Sequence, residues 1–202
     1  KVEKTENSLF ELNYVGVKAP QFSFTRLEGA DPTLGVEMAS TGEVACLGKD
    51  FDEAFLKALL SVGYKLPVAT ILLSTGSIES KAELLDSTRF LKALGVQFYA
   101  TRGTAKFMIA NGIPAEILNW PLERKAPNAV DYIKEGKIDL VINIPKNYQE
   151  QELTNDYIIR RVAVDHGVPL ITNRQIAMRF AEALSRKAID RLQISSWDEY
   201  KM

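Results

Sequence analysis

The sequence predicts an α/β fold: a doubly wound, five-stranded parallel sheet that is preceded by a small α+β segment. From residue 68 onward, short apolar runs rich in β-branched residues alternate with stretches of helical spacing, and glycines end most of those stretches. Residues 1–66 lack this alternation. Strands that alternate with helices form parallel sheets covered on both faces. We therefore expect two units, residues 1–66 and 67–202, with Pro67 at their boundary.

The first unit is expected to hold short strands and one helix. Apolar runs at 14–17 and 22–24 predict two strands separated by Pro20. Asp50 is the expected N-cap of a helix over residues 51–62, and Gly63 suits the position just after its end.

The second unit supplies the five strands and their covering helices. The run at 68–74 is mainly apolar and rich in residues that favour strands, as expected of a strand buried on both faces. We predict strands at 68–74, 96–100, 115–119, 138–143 and 169–172, and helices at 80–94, 103–110, 129–135, 154–165 and 174–184.

Composition narrows the classes of function. The net charge of −1 gives no electrostatic case for binding nucleic acid or a membrane surface. With one cysteine and one histidine, the chain can form neither an internal disulfide nor a His/Cys metal site. A Cys46–His166 nucleophilic pair is formally available, but Cys46 sits in an apolar stretch, which favours a packing role. Because the chain begins with Lys1, we expect an excised fragment. The single cysteine suits a reducing compartment, and we expect a cytoplasmic location or, in a eukaryote, a mitochondrial one.

Ligands of open parallel sheets bind beyond the carboxyl ends of the strands, which directs attention to the loops there. Thr101 and Thr104 flank Gly103 between a predicted strand and helix. Backbone N–H groups at a helix N-terminus favour an anion, so a phosphate or carboxylate suits this turn. The alternative is that one threonine simply caps the helix.

Three further residues stand near strand ends. Lys81 lies near the start of a predicted helix, where a cation is unfavourable unless an anion neutralises it; a solvated lysine is the alternative. Trp120 is expected either in the core or in a pocket wall. Asn143 ends the most apolar strand and needs hydrogen-bond partners, either backbone groups of the next loop or a ligand.

Two arginines lie on the helix that follows this strand. Arg160 and Arg161 suit an anion, although ion pairs with nearby acids are more usual.

Several motifs resemble carbamoyl-phosphate synthase large subunits. The run Asp-Pro-Thr-Leu-Gly-Val-Glu-Met-Ala-Ser-Thr-Gly-Glu at 31–43 closely resembles the end of that family's second ATP-grasp unit, as does the run at 14–20. From residue 68 the chain resembles the methylglyoxal-synthase-like domain that follows, through the motifs at 100–105, 140–143 and 157–163.

The resemblance implies a regulatory piece of a ligase. The family makes carbamoyl phosphate from bicarbonate, ammonia (from glutamine in most members) and two ATP. Its residues for ATP and for Mg or Mn lie upstream, so we expect no cofactor and no catalysis in this part. The partners implied are a small anionic effector, the remainder of the large subunit, the glutaminase small subunit and further copies in a homo-oligomer.

The resemblance also implies an effector site. Members regulated by UMP or IMP bind phosphate with a Thr-x-x-Thr motif and two lysines; Lys81 matches the first lysine, but Trp120 replaces the second. Members activated by N-acetyl-L-glutamate use two threonines, a tryptophan and asparagines. Lys146 and Asp156 stand where further asparagines are expected. Ornithine is disfavoured because no acid lies near Ala19. The expected effector-binding set is Lys81, Thr101, Thr104, Trp120, Asn143, Lys146, Asn147 and Asp156.

Two other interpretations are open. An independent methylglyoxal synthase would need a Gly-Gly-Asp acid and a histidine near the end of the fourth strand, and neither is present after Trp120 or after residue 143. The second is a structural or oligomerisation domain with a degenerate pocket, which the departures at Lys146 and Asp156 leave open.

Overall fold

The structure is a computed structural model that describes residues 13–33, 40–145 and 150–200, with no description of the side chains of residues 150–153 and 197. Within these ranges the chain forms a two-stranded antiparallel sheet and a five-stranded parallel sheet. The strands are β1 Val15–Gln21, β2 Gly42–Gly48, β3 Thr70–Thr75, β4 Gln97–Thr101, β5 Glu116–Leu118, β6 Leu140–Ile144 and β7 Leu170–Ile171. The helices are α1 Phe51–Ser61, α2 Ile78–Glu83, α3 Leu85–Ala93, α4 Arg102–Ala110, α5 Ala129–Lys134, α6 Glu150–Asp165 and α7 Arg174–Arg186.

The five-stranded sheet has the order β5-β4-β3-β6-β7, and all its strand pairs are parallel. Side chains alternate between its faces: Ile71 and Leu73 of β3 join one apolar cluster, whereas Leu72 joins a second. Residues of α3, α4 and α7 cover the first face, and residues of α5 and α6 cover the second. The prediction of a doubly wound five-stranded parallel sheet is confirmed.

The antiparallel pair differs from the prediction. The strand expected at 14–17 is present but longer, because β1 runs from Val15 through Pro20 to Gln21. The strand expected at 22–24 was wrong, because Phe24 begins a 3-10 turn. The partner strand β2 was not predicted. Pro20 is tolerated because β1 pairs only with β2 among the described strands, and an edge strand can accommodate a residue without an N–H.

The helix predicted over 80–94 is divided in two at Leu84. Leu84 keeps a right-handed helical backbone, with φ −83° and ψ −3°, and its side chain is buried. Its N–H donates to the Ser80 carbonyl, and its own carbonyl accepts from the Thr88 N–H. The helices α2 and α3 therefore meet at Leu84, and the Leu84 side chain remains in the core. Elsewhere α6 begins four residues earlier than predicted, and β7 is shortened to two residues.

The core of the parallel-sheet unit continues across the boundary predicted at Pro67. Leu56 of α1 is fully buried and belongs to the same apolar cluster as Ile71 and Phe180. The Tyr64 hydroxyl donates to the Leu170 carbonyl on β7 at 3.1 Å, and burial raises the pKa of that hydroxyl well above its usual range. The helix α1 therefore packs as part of the larger unit.

Other sequence predictions concern absent features. Among the described residues, no helix is both long and apolar enough to cross a bilayer, and no three His, Cys, Asp or Glu side chains are grouped as a metal site. Cys46 Sγ lies 3.3 Å from the Ser61 hydroxyl, while His166 Nδ1 lies 2.9 Å from the Val162 carbonyl. Cys46 and His166 therefore contact different groups, and these contacts do not join them as a nucleophilic pair.

Candidate functional site

A small cavity of about 110 Å³ lies at the carboxyl edge of the parallel sheet. It forms where β3 and β4 end, beneath the start of α4. Five of the eight residues predicted for the effector site line it: Lys81, Thr101, Thr104, Trp120 and Asp156. The remaining lining residues are Ser74, Thr75, Gly76 and Gly103.

The two threonines of the Thr-x-x-Thr motif do not cap α4 in the simple sense. Thr101 occupies the N-cap position, but its side chain makes no capping hydrogen bond; its hydroxyl instead donates to Ser74 Oγ at 3.3 Å. The Thr104 hydroxyl accepts from the Thr75 N–H at 3.0 Å and donates to the Thr75 carbonyl at 3.2 Å. The first-turn N–H groups of α4 are therefore not taken by the Thr101 side chain, and the capping alternative is wrong for that residue.

The Lys81 ammonium lies over the start of α4. A Cβ added to Gly103 would lie 3.7 Å from Lys81 Nζ, so the amine sits above the glycine of the first helical turn. The positive end of the α4 dipole and a lysine charge thus converge on one point. Two like charges this close favour an anion between them.

One polar atom in the cavity has no partner in the described part of the chain. Thr75 is 5% exposed, and its hydroxyl makes no hydrogen bond within those residues. Buried hydroxyls without a partner are uncommon in native proteins, because losing water without a replacement is costly. A ligand oxygen in this cavity would supply the missing partner.

The floor of the cavity is a buried hydrogen-bond network. Asp156 Oδ1 accepts from Ser74 Oγ at 3.1 Å and from Asn143 Nδ2 at 2.7 Å. Asn143 is fully buried, and its Oδ1 accepts from Arg160 Nη1 at 2.9 Å. Asn143 has hydrogen-bond partners, as predicted, and those among the described residues are the side chains of Asp156 and Arg160. It lies beneath the cavity and contributes through Asp156.

Trp120 forms one wall and is held by its backbone. Its N–H donates to the Glu123 carboxylate at 3.1 Å, and its carbonyl accepts from Asn128 Nδ2 at 3.0 Å. Two residues on, the Leu122 N–H donates to the buried Asn155 at 3.0 Å. The indole packs against the apolar cluster under the second face of the sheet, so the wall is fixed from below.

The predicted set and the observed site overlap without coinciding. Lys146 and Asn147 lie outside the described residues. Ser74, Thr75 and Asn155 were not predicted as site residues. The position of Ser74 and Thr75 at the carboxyl end of an apolar strand was a usable signal. Asn155 offered none, because its role depends on how α6 packs against the turn after Trp120.

Comparisons with known proteins show which family this chain resembles. A family described as "MGS-like domain" matches residues 83–172. The chain is 48% identical over 179 residues to "Multifunctional protein pyr1-3" of Dictyostelium discoideum, which covers 86% of this chain and 8% of that protein. It is 47% identical over 184 residues to "Multifunctional protein CAD" of Squalus acanthias, covering 84% of this chain and 8% of that protein.

A third relative is the human "Carbamoyl-phosphate synthase [ammonia], mitochondrial", which is 38% identical over 200 residues, or 96% of this chain and 13% of that protein. The chain thus spans about a tenth of the length of the curated relatives it matches. A solved methylglyoxal synthase from Elizabethkingia anophelis overlaps 65% of this chain and 89% of its own with a TM-score of 0.42 at 16% identity, too weak a likeness to add to the matches.

Proposed function

Because this chain belongs to the carbamoyl-phosphate synthase family, as its MGS-like region, we propose that it is a regulatory part of such a synthase. Its role is to bind a small anionic effector in the cavity at the carboxyl edge of the sheet. The parent enzyme would make carbamoyl phosphate from bicarbonate, glutamine-derived ammonia and two ATP. In that enzyme ATP and Mg or Mn would bind outside this chain.

The observation that carries the proposal is the convergence of positive potential and unsatisfied hydrogen bonding in one small space. The Lys81 ammonium, the start of α4 and the Thr75 hydroxyl all meet there. An anionic oxygen there would be attracted by the lysine charge and the helix dipole and would accept a hydrogen bond from the Thr75 hydroxyl. No other cluster of described residues combines these features.

The size of the cavity bears on the kind of anion. Ligand pockets usually enclose about 300–1,000 Å³, so about 110 Å³ admits one carboxylate or phosphate head group, and the rest of the ligand must lie outside. Trp120 stands where a second phosphate-binding lysine would be expected for UMP or IMP, and it offers an apolar wall instead. We therefore favour an acylated amino acid such as N-acetyl-L-glutamate over a nucleotide, with UMP or IMP as the alternative.

The chemistry of the cavity does not favour an independent enzyme. Its lining holds one carboxylate, Asp156, and no histidine, whereas a methylglyoxal synthase would need both an acid and a histidine. His166 is exposed at the far end of α6. A purely structural or oligomerisation domain is the second alternative. Binding of an effector would exclude it, and the absence of binding would favour it.

The remaining partners belong to the same proposal. The chain would contact the remainder of its large subunit, work beside a glutaminase subunit and occur in a homo-oligomer. We place it in the cytoplasm, with mitochondria as the alternative, because a relative is named as mitochondrial.

Isothermal titration of the 202-residue chain with N-acetyl-L-glutamate, UMP and IMP tests the proposal. We expect saturable heat with N-acetyl-L-glutamate. Lys81→Met should weaken binding by about tenfold to a hundredfold, because a hydrogen bond to a charged group contributes about 1.5–3 kcal/mol. Lys106→Met, which removes an exposed lysine from α4, is the matched control and should leave binding unchanged. Absence of heat with all three compounds would refute the effector site.

Replacement of Trp120 separates the two classes of effector. Trp120→Lys supplies the second cation that nucleotide-regulated members of the family have. We expect it to weaken binding of N-acetyl-L-glutamate and to strengthen binding of UMP or IMP. Equal titration curves for the variant and the natural chain would show that Trp120 takes no part in ligand choice.

A further inference from the structure

Helix α6 touches both the candidate effector cavity and a distant stretch of backbone at residues 24–33. Toward the cavity it presents Asp156, which lines the floor, and Asn155, which holds the turn after Trp120. The residues that follow present three side chains to residues 24–33, those of Tyr157, Arg160 and Arg161. No other described helix makes polar side-chain contacts with both places.

The contacts with residues 24–33 are numerous and polar. Arg160 donates two hydrogen bonds to the Asp31 carboxylate, from Nε to Oδ1 at 2.7 Å and from Nη2 to Oδ2 at 2.5 Å. Its side chain is 3% exposed, whereas that of Asp31 is 42% exposed. Burial alone would raise the pKa of Asp31, but hydrogen bonds from Arg160 and Thr33 outweigh it and hold the pKa below its usual value. The carboxylate is therefore ionised at neutral pH, and the pair is a full ion pair.

The neighbouring side chains of α6 hold the backbone of the same stretch. Tyr157 and Arg161 both donate to main-chain carbonyls there. The acceptors are Gly29 for Tyr157, at 2.9 Å, and Phe24, Leu27 and Ala30 for Arg161, at 2.8, 2.9 and 3.1 Å. Because backbone carbonyls are the acceptors, these contacts position residues 24–33 whatever their side chains.

Asn143 joins the two groups of contacts. Its amide donates to Asp156 on the cavity side and accepts from Arg160 on the other side. Asp156, Asn143, Arg160 and Asp31 therefore form one continuous chain of hydrogen bonds, and its first three members are buried. Asn143 cannot rotate without weakening bonds to two charged groups, which is costly in a low-dielectric interior.

We infer that this relay of Asp156, Asn143, Arg160 and Asp31 couples ligand binding in the cavity to the order of residues 24–33. The inference rests on the proposed effector function. An anion that enters beside Asp156 repels its carboxylate and disturbs the Asp156–Asn143 bond. The displacement passes through Arg160 to Asp31 and loosens or tightens the stretch that α6 holds. Residues 24–33 precede the MGS-like match at residues 83–172, so the relay connects the cavity to the part of the chain before that match.

Hydrogen–deuterium exchange of the 202-residue chain tests the coupling. With saturating N-acetyl-L-glutamate, we expect exchange in peptides covering residues 24–33 to change at least twofold. Asp31→Asn removes the ion pair at its half-exposed end. It should keep the affinity for N-acetyl-L-glutamate within about threefold and lose most of the exchange response. Lys106→Met is again the control, with the full response retained.

A second measurement needs no ligand. Asp156→Asn alters the cavity end of the relay directly, and in the free chain it should change exchange at residues 24–33 at least twofold; in the Asp31→Asn background that effect should disappear. If N-acetyl-L-glutamate binds but neither perturbation reaches residues 24–33, the relay is wrong. If no compound binds but Asp156→Asn changes exchange there, the relay stands and the effector proposal fails.

Discussion

Truncation of Leu56 to alanine should destabilise the parallel-sheet unit, although Leu56 lies on the other side of the boundary predicted at Pro67. Leu56 is fully buried in the cluster that contains Ile71 and Phe180. Leucine-to-alanine changes in cores cost about 2–5 kcal/mol, and more where neighbours cannot collapse into the space. Because the sheet and α7 pack against α1 from fixed positions, we expect about 3–5 kcal/mol, or a fall in Tm of about 6–20 °C for a chain of this length.

Fluorescence of Trp120 during urea unfolding reports the stability of the sheet unit itself. Trp197→Phe leaves Trp120 as the single tryptophan of the chain. In that background Leu56→Ala should shift the Trp120 transition to lower urea. Leu60→Ala, on the same helix but with its side chain 37% exposed, is the control and should cost less than about 1 kcal/mol. If Leu56→Ala removes helical circular dichroism but leaves the Trp120 transition in place, α1 is an appendage and the shared-core argument is wrong.

Two further predictions concern α1 and the strand before it. A hydrogen bond from Lys187, joined by one from the Glu53 N–H, holds the pKa of Asp50 below its usual value. Its stabilising effect is therefore present above the unfolded pKa of about 3.9 and is lost as pH falls through the lower folded pKa. Urea midpoints should be flat from about pH 5 to 8 and fall below about pH 4, and Asp50→Asn should make that fall smaller, because the carboxyls of Asp31 and Asp165, whose pKa values are also lowered, still contribute to it. A Cβ on Gly48 would lie 2.5 Å from the Ala54 nitrogen, so Gly48→Ala should cost about 1–3 kcal/mol by calorimetry, while Gly42→Ala, with open space around it, should cost little; equal Tm values would contradict this.

The parallel sheet was predictable from sequence because the features that specify its strands and helix ends are local in the sequence. A strand buried on both faces is apolar along most of its length, as residues 68–73 are apart from Thr70. The glycines that follow the helices end them in the left-handed region, as Gly95 does at φ +87°. The antiparallel pair was not predictable in this way. β2 begins and ends in glycine and is mostly exposed or half-buried, so its pattern is weak, and its partner is set by pairing with β1 some 25 residues away.

The residues of the candidate site also fall into two groups, those that local sequence predicts and those that depend on the packing of distant segments. Thr101, Thr104 and Lys81 could be predicted because each follows a strand at the edge where ligands of parallel sheets bind. The contributions of Asn155 and of the Arg160–Asp31 pair could not, because they arise from the packing of α6 against segments far away in sequence. The expectation that Arg160 and Arg161 pair with acids proved correct, with Asp31 and Asp165 as the partners.

Asp156 lines the floor of the cavity, and we expect its charge to affect which anion binds. A carboxylate on the floor opposes the attraction of Lys81 and the α4 N-terminus, and the family resemblance leads one to expect an asparagine there. Asp156→Asn removes the charge but keeps an oxygen that accepts from Ser74 and Asn143. At about 6 Å and an effective dielectric constant of about 20, like charges repel by up to about 3 kcal/mol, and partial solvation reduces this to about 1–2 kcal/mol. Titration should therefore give about fivefold to thirtyfold tighter binding of N-acetyl-L-glutamate. Weaker binding would show instead that Asp156 accepts a hydrogen bond from the ligand. The effector would then carry a donor beside its anion, as an acylated amino acid does through its amide N–H.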